Sequence, residues 1–219
     1  MIVTIHQPDF LPWLGFFDRW RNSDLYIILD DVQFIRRGWQ HRDKIKTSQG
    51  IKWLTVSVIK RGNYFSEIRH IQINTDSDWK NNHFKMIENA YSKSINFCYV
   101  FECLKQIYSK KHSFLIDLNI DLLKFSAKEL NINTPYTFSS SLKIKSNGTQ
   151  RLVDLVKAVG GNEYLSGLGS KDYLDENIFR KNNINVLWHN FQHPIYKQLY
   201  GDFEKNLSIL DFLFNKDDD

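Results

Sequence analysis

A histidine and a glutamine follow directly on the first short apolar run of the chain. Residues 2–5 favour a strand, His6 and Gln7 come next, and Pro8 then constrains the loop. An imidazole held rigidly at a strand end can bind phosphate or donate a proton to a reacting group. The same side chains could instead satisfy backbone groups of the loop, as polar residues beside prolines commonly do. The residues alone leave both interpretations of His6 open.

Two aspartates close the second apolar run. Asp30 and Asp31 follow residues 25–29, which have the length and composition of a buried strand. A carboxylate in this position can act as a base, bind a metal ion or hold a ribose hydroxyl. Either aspartate could instead cap the next turn, and the sequence does not separate these roles.

The segment from Arg36 to Arg61 is the most electropositive part of the chain. It holds eight Arg and Lys residues against Asp43 alone, a local surplus of +7. Guanidinium groups recognise phosphate and carboxylate, and Trp39 and Gln40 among them could stack a base or a sugar ring. A charge run of this kind is also typical of a solvated face. The net charge of +4 for the whole chain does not indicate nucleic acid as a partner.

Two later segments contain residue types that can bind anions or metal ions. Residues 166–170, with two glycines, are expected to form a loop before a helix near Lys171 and could cradle an anion with backbone N–H groups. This segment lacks the spacing of a dinucleotide or P-loop motif. His189 and His193 are four positions apart, but Pro194 argues against a shared helical face, so no metal site is predicted.

The elements that must position these residues alternate between strand and helix. The predicted strands are residues 2–5, 25–29, 51–58, 68–73, 164–165 and 184–188. The predicted helices are residues 14–21, 79–91, 115–125, 152–159 and 207–213. Strand, helix and strand within the first thirty residues match a βαβ unit, whose ligands bind at the carboxyl ends of the strands. We therefore expect a Rossmann-like α/β fold, with a mainly parallel sheet flanked by helices and a helical layer over residues 77–131.

The composition of the chain limits which classes of protein it can belong to. The chain has 219 residues, of which 42% are hydrophobic and 25% charged, so one domain over residues 1–219 is expected. Cys98 and Cys103 do not suggest a disulfide framework, and no Gly-x-Ser-x-Gly motif occurs. No apolar run approaches the roughly 20 residues of a membrane helix. These features predict a cytoplasmic protein without a membrane partner.

Short motifs along the chain, in a distinctive order, resemble the WbqC-like family. The matching segments are residues 5–8, 11–15, 29–34, Arg42, 45–46, 164–167, 172–174, 191–196, Gln198, 207–211 and 213–215. The resemblance covers nearly the whole chain. It departs from the family pattern at His41 and Asp43, where we expect asparagine, and at Lys216, which replaces a usual glycine.

The resemblance implies a function in the production of bacterial surface polysaccharide, including the O-antigen of lipopolysaccharide. The order of the first elements is also similar to pantothenate synthetase-type nucleotidyltransferases, which activate a carboxylate with ATP and form an amide, although their paired histidines are absent here. We expect a transferase that moves an aminoacyl (glycine-like) or other acyl group onto an amino sugar or nucleotide sugar. The alternative is a non-catalytic protein of the same pathway that binds a sugar nucleotide or a partner.

Under the transferase hypothesis, His6 polarises or protonates the reacting group, while Asp30 or Asp31 accepts a proton or orients the sugar amine. Arg42 and Lys46 would hold phosphate. The other predicted substrate-binding residues are Gln7, Trp13, Gln33, Ser166, Gly167, Gly169, Tyr173, His193, Tyr196 and Gln198. No metal ligands are predicted, a nucleotide or ATP is the candidate cofactor, and the sugar, the donor and the oligomeric state stay open.

Overall fold

The computed structural model describes residues 1–59, 62–63 and 65–217. Lys60 and Arg61, which close the cationic segment, lie outside these residues. The strands are β1 Ile2–His6, β2 Leu25–Ile28, β3 Arg42–Thr47, β4 Gly50–Thr55, β5 Tyr136–Phe138, β6 Glu163–Gly167 and β7 Asn185–His189. The α-helices are α1 Leu14–Arg21, α2 Trp79–Tyr91, α3 Phe97–Ser109, α4 Leu115–Glu129, α5 Gly148–Ala158, α6 Glu176–Lys181 and α7 Ile209–Asn215.

The chain divides into two compact units, and each is built from three separate segments. Unit 1 comprises residues 1–7, 15–31 and 131–192. Unit 2 comprises residues 8–14, 32–130 and 193–219. The single domain expected from the sequence stays a prediction.

Unit 1 is an α/β structure built on a five-stranded sheet. The strand order is β5-β2-β1-β6-β7, and all neighbouring strands are parallel. The register pairs Ile5 with Ile27 and His6 with Ile28, so β1 and β2 end side by side. The apolar runs of β1 and β2 suit the centre of such a sheet, where strands are buried on both faces. The predicted Rossmann-like α/β class is therefore confirmed.

Helices cover both faces of this sheet. On one face, Val3, Ile5 and Ile27 pack with apolar residues of α5 and with Phe179 of α6. On the other face, residues of α1 pack on the alternate side chains of the central strands. The ring of Phe16 lies 5.7 Å from that of Tyr26, in an edge-to-face arrangement. The alternation of side chains along each strand thus supplies two apolar layers.

Unit 2 contains an antiparallel hairpin and most of the helices. Strands β3 and β4 pair along their length, with Lys44 opposite Trp53. Helix α2 packs against both strands, and α3 packs against α4 and α7. Tyr91 of α2 stacks on Phe214 of α7 with ring centroids 4.6 Å apart. The predicted helical section over residues 77–131 is confirmed. Within the described residues, no helix combines the length and apolar character needed to cross a bilayer.

Two of the errors of local prediction lie in unit 2. Residues 68–73 were expected to form a strand, but Ile68–His70 is a 3-10 helix. Ile68 and Ile71 are both fully buried, and a spacing of three residues fits this helix rather than a two-residue alternation. The second error concerns β3, which was not predicted at all because charged residues dominate its sequence.

Candidate functional site

The carboxyl ends of the parallel strands meet at one edge of the unit 1 sheet, here called the carboxyl edge. Each strand ends at or just before a polar side chain there: His6 at the end of β1, Asp30 after β2, Ser139 after β5, Ser166 in β6 and His189 at the end of β7. Ligands of open parallel sheets bind outside this edge. The carboxyl edge is therefore the candidate site of unit 1.

His6 is held as a neutral imidazole. Its Nδ1 lies 3.0 Å from the carbonyl oxygen of Gln7, and its ring meets Phe16 edge-on with centroids 5.2 Å apart. Burial, together with the positive charge of Arg19, lowers the pKa of His6 to about 3. Because a carbonyl only accepts, Nδ1 carries the proton and Nε2 is the acceptor nitrogen. The neutral ring is suited to accepting a hydrogen bond from a ligand.

Asp30 binds the turn that follows β5. Its Oδ1 accepts a hydrogen bond from the backbone N–H of Ser140 at 3.0 Å and shares the single proton of the Ser139 hydroxyl with Asp31, at 3.0 and 2.5 Å respectively. The Ser140 hydroxyl donates to Oδ2 at 2.7 Å. Asp30 is buried, and these bonds tie the end of β2 to the neighbouring strand. This geometry favours the structural interpretation of Asp30.

Asp31 forms an ion pair with Arg151 of α5. Asp31 Oδ2 lies 2.7 Å from Arg151 Nη2, and the two side chains are only 11% and 13% exposed. Burial raises the pKa of Asp31, but hydrogen bonds from Ser139 and Arg151 and the charge of Arg151 outweigh it and hold the pKa below its ordinary value. Asp31 is thus a stable anion and a weak base. Arg151 also donates from Nη1 to the carbonyl of Ile144 at 3.0 Å.

Arg19 places a guanidinium group at the carboxyl edge. It projects from α1 against Gly167 at the end of β6, where a Cβ atom would lie 2.6 Å from Arg19 Nη1. A larger residue at position 167 would displace this guanidinium group, and its charge is close enough to act on His6. Arg19 was not predicted from the sequence, although a glycine at a strand end was a signal for a close contact.

Asp18 and His189 form a second pair at the same edge. His189 Nε2 lies 2.7 Å from Asp18 Oδ2, and the side chains are 12% and 31% exposed for the histidine and the aspartate respectively. Since the carboxylate accepts, Nε2 carries a proton, and in the neutral form of the ring Nδ1 is the acceptor nitrogen. From the sequence, His189 was considered only as a metal ligand. Its partner lies 171 positions away in the sequence, and no local pattern links the two.

The segment of residues 166–170 differs from its predicted form. It completes β6 and then forms a 3-10 helix, Leu168–Ser170, while α6 begins only at Glu176. The expectation that this loop opens a helix near Lys171 was therefore wrong. Ser166 and Ser170 hydroxyls lie 2.6 Å apart. The anion-binding roles of Ser166, Gly167 and Gly169 stay predictions, as does that of Tyr173, which is 74% exposed.

In unit 2, three predicted substrate-binding residues meet in one buried network. Lys46 Nζ donates to Gln198 Oε1 at 3.1 Å and to the backbone carbonyl of Asp202. Asp211 Oδ2 accepts from Gln198 Nε2 at 2.7 Å and from the Tyr196 hydroxyl at 2.8 Å. Lys46 is only 5% exposed. The network joins the segment after residue 193 to β3 and α7, which favours a structural role for Lys46, Tyr196 and Gln198.

Arg42 lies on the outward face of the β3–β4 hairpin. Its guanidinium carbon is 4.2 Å from the ring centroid of Trp53, and Nη2 donates to the backbone carbonyl of Arg37 at 2.5 Å. Lys44 Nζ lies 5.6 Å from the ring of Trp39. Arg42 and Lys44 therefore lie against indole rings on this face rather than in solvent alone.

Three further predicted residues occupy separate places in unit 2. Trp13 forms an isolated backbone bridge with Ser208, and Gln33 forms one with Glu67. His193 donates from Nδ1 to the carbonyl of Pro194 at 2.9 Å. Their contacts with substrate stay predictions. No group of three or more His, Cys, Asp and Glu side chains in the described part of the chain is arranged to hold a metal ion.

Comparison with known proteins shows the family to which this chain belongs. The profile of the WbqC-like protein family matches residues 7–219. "Uncharacterized protein Rv1507c" of Mycobacterium tuberculosis is 37% identical over 215 residues, which cover 97% of this chain and 93% of that protein. No solved structure is significantly similar to this chain. The chain therefore belongs to the WbqC-like protein family, and this membership suggests a role in polysaccharide biosynthesis.

Proposed function

We propose that this protein is a cytoplasmic transferase of bacterial surface polysaccharide biosynthesis. It moves an aminoacyl or other acyl group onto an amino sugar or nucleotide sugar. The observation that carries the proposal is the Asp18–His189 pair, with 2.7 Å between Oδ2 and Nε2, at the carboxyl edge that also holds Arg19 and neutral His6. Family membership supports the pathway, and the geometry supports acid–base chemistry at this edge.

The reaction needs a base, because a protonated sugar amine cannot attack an acyl group. In the tautomer fixed by Asp18, Nδ1 of His189 takes one proton from the amine as the new C–N bond forms. The bond from the acyl carbon to its leaving group then breaks, and the leaving group departs with the electron pair and receives the proton from the imidazolium. Asp18 stabilises the charged ring and holds its orientation.

The other groups at the carboxyl edge would bind and orient the reactants. Arg19 supplies a positive charge for the oxyanion that develops on the acyl carbon, or for a phosphate of the substrate. Nε2 of His6 accepts a hydrogen bond from a sugar hydroxyl or amine. Asp31 remains paired with Arg151 and does not take the proton.

The test is product formation by the full-length protein. The protein is incubated with a panel of nucleotide amino sugars, with amino acid plus ATP or with an aminoacyl donor, and the sugars are examined by mass spectrometry. We expect a mass gain on one sugar and a loss of rate of about 100-fold or more in His189→Gln. His70→Gln is the matched control, since the His70 side chain is 60% exposed in unit 2. Absence of product across the panel, or an unchanged rate in His189→Gln, would refute the proposal.

A second candidate is a non-catalytic protein that binds a sugar nucleotide. The observation in its favour is that Asp30 and Asp31, the carboxylates expected to do chemistry, are bound by Ser139, Ser140 and Arg151. Tight binding of a nucleotide sugar without turnover, unchanged in His189→Gln, would support this candidate over the transferase.

A further inference from the structure

Two pockets in unit 2 that share one lining residue take no part in the proposed reaction. The larger, with a volume of about 300 Å³, is bounded by β4 and α2. The smaller, of about 110 Å³, lies beside the loop before β3. His41, only 5% exposed, contributes to the walls of both. A volume of about 300 Å³ is at the lower end of ligand pockets, so the larger pocket fits a small molecule.

The larger pocket combines aromatic walls with neutral polar groups. Trp53 and Trp79 supply indole surfaces. The hydroxyl and amide side chains in the lining are Thr55, Ser57, Ser77 and Asn82. These groups both donate and accept hydrogen bonds, as the hydroxyls of a sugar do. His83, also in the wall, is neutral because burial lowers its pKa to about 4. The lining matches a polar, uncharged ring.

The arrangement of the indoles favours a sugar over a nucleobase. The Arg42 guanidinium covers one face of Trp53, at 4.2 Å from the ring centroid, so at most one face of this indole is open to a ligand. A pyranose ring needs only one aromatic face for its C–H groups, and its hydroxyls then meet the polar lining.

The smaller pocket is cationic. Its lining includes Arg36, Arg37, Phe34 and His41. The backbone of Arg37 has a φ of 62°, in the left-handed region that non-glycine residues rarely adopt, and such strain concentrates at ligand sites. The Arg37 carbonyl accepts a hydrogen bond from Arg42, which holds the turn in this form. Guanidinium groups bind phosphate with good geometry, and the pocket has room for one such group.

We propose that the two pockets together bind a phosphorylated sugar, with the pyranose ring in the larger pocket, the phosphate in the smaller one and His41 at their junction. This inference goes beyond the proposed function, because binding in unit 2 requires no transfer at the carboxyl edge of unit 1. A binding measurement therefore tests it even if no acyl transfer is found, and a failure here leaves the transferase assay unaffected.

The experiment is calorimetric titration of the full-length protein with four probes. The probes are N-acetylglucosamine 1-phosphate, N-acetylglucosamine, inorganic phosphate and uridine monophosphate. UDP-N-acetylglucosamine serves as a fifth titrant, to distinguish a free sugar phosphate from a nucleotide-linked one. We expect the sugar phosphate to bind at least tenfold more tightly than the sugar or phosphate alone, and tight binding of either phosphorylated form supports the proposal when the unit 2 variants described next weaken it.

Variants then assign the two halves of the site. Arg36→Gln and Arg37→Gly should weaken binding of the sugar phosphate by more than tenfold, about 1.4 kcal/mol, and leave binding of the unphosphorylated sugar unchanged. Trp53→Ala should weaken the binding of both the sugar phosphate and the unphosphorylated sugar. Lys52→Gln is the matched control, since it removes the same charge from β4 at a residue outside both pocket linings.

Nuclear magnetic resonance of the unsubstituted protein keeps the inference testable if a variant does not fold. The indole N–H signals of Trp53 and Trp79 should shift when the sugar phosphate is added. The inference is overturned if those signals stay in place, if uridine monophosphate binds as tightly as the sugar phosphate, or if no phosphorylated sugar binds.

Discussion

Replacing Asp43 with asparagine should make the protein more stable than the parent chain at neutral pH. Asp43 is only 3% exposed, and its Oδ1 accepts a hydrogen bond from the N–H of Lys44 at 2.6 Å. Burial raises its pKa to about 8; the Lys44 hydrogen bond opposes the shift and the nearby carboxylate of Asp9 adds to it. The asparagine side chain would keep the acceptor oxygen and carry no charge, and asparagine is also the residue expected at this position from the family pattern.

The sign and the size of this change in stability follow from the number of protons bound by the folded and the unfolded protein. Between about pH 4 and 8 the folded protein keeps Asp43 protonated, whereas the unfolded chain, with a pKa near 3.8, ionises it. The folded state thus binds one more proton, and its stability falls by about 1.4 kcal/mol for each pH unit of increase. Asparagine removes this dependence. Between pH 5 and 7.5 the difference in the free energy of unfolding should grow in favour of the variant by about 3 kcal/mol.

Urea denaturation at several pH values measures this difference. Asp76→Asn, which removes an exposed carboxylate of the same unit, is the control and should leave the pH profile unchanged. Parallel profiles for the parent chain and Asp43→Asn would show that Asp43 is ionised in the folded protein. That result would refute the assigned role of burial and of the repulsion from Asp9.

Three further predictions concern unit 1. Arg151→Met should destabilise the protein by about 2 kcal/mol at pH 7, because Asp31 loses its ion pair. Since this ion pair lowers the pKa of Asp31, the loss of stability should become smaller as the pH falls through the acid range, as measured by urea titrations. Phe179→Ala should cost about 3–5 kcal/mol by opening a cavity in the core, seen as a lower urea midpoint, and an unchanged midpoint would contradict the packing. Gly161→Ala should lower the free energy of unfolding by about 1–3 kcal/mol, since the new Cβ would lie 2.6 Å from Val3 Cγ2. An unchanged melting temperature would show that the surrounding structure shifts to accept the methyl group without loss of stability.

The strands of unit 1 could be predicted because their signal is local. Residues 2–5, 25–29 and 184–188 are short apolar runs bounded by polar or turn-forming residues, as buried parallel strands require. Strand β3 could not be found in this way. Of its inward positions, Asp43 is acidic and only Ile45 is apolar, and Lys46 is buried although lysine rarely is. The partner strand of β3 and the segment after residue 193 bury these polar side chains, and this burial cannot be read from the local sequence.

The candidate site was predictable only in part for a similar reason. His6 and Asp30 were located at strand ends because each follows an apolar run directly. The partners that decide their chemistry come from distant segments: Arg19 from α1, Ser139 from the turn after β5, and the His189 that pairs with Asp18. Which carboxylate is bound and which imidazole is neutral depends on these contacts, and a single sequence does not specify them.

The segmented units have a consequence for the order in which the chain can fold during synthesis. Strand β1 leaves the ribosome first, but its neighbour β6 begins only at Glu163, about 160 positions later. In unit 2, the Tyr91 hydroxyl donates to Asp211 near the end of the chain. Both units have high contact order, and neither can close until nearly all residues have emerged. Strands β1 and β2 can pair with each other early, but the edge of β1 that pairs with β6 and the edge of β2 that pairs with β5 stay open until residues 136–167 have been synthesised, which leaves the nascent chain prone to aggregation.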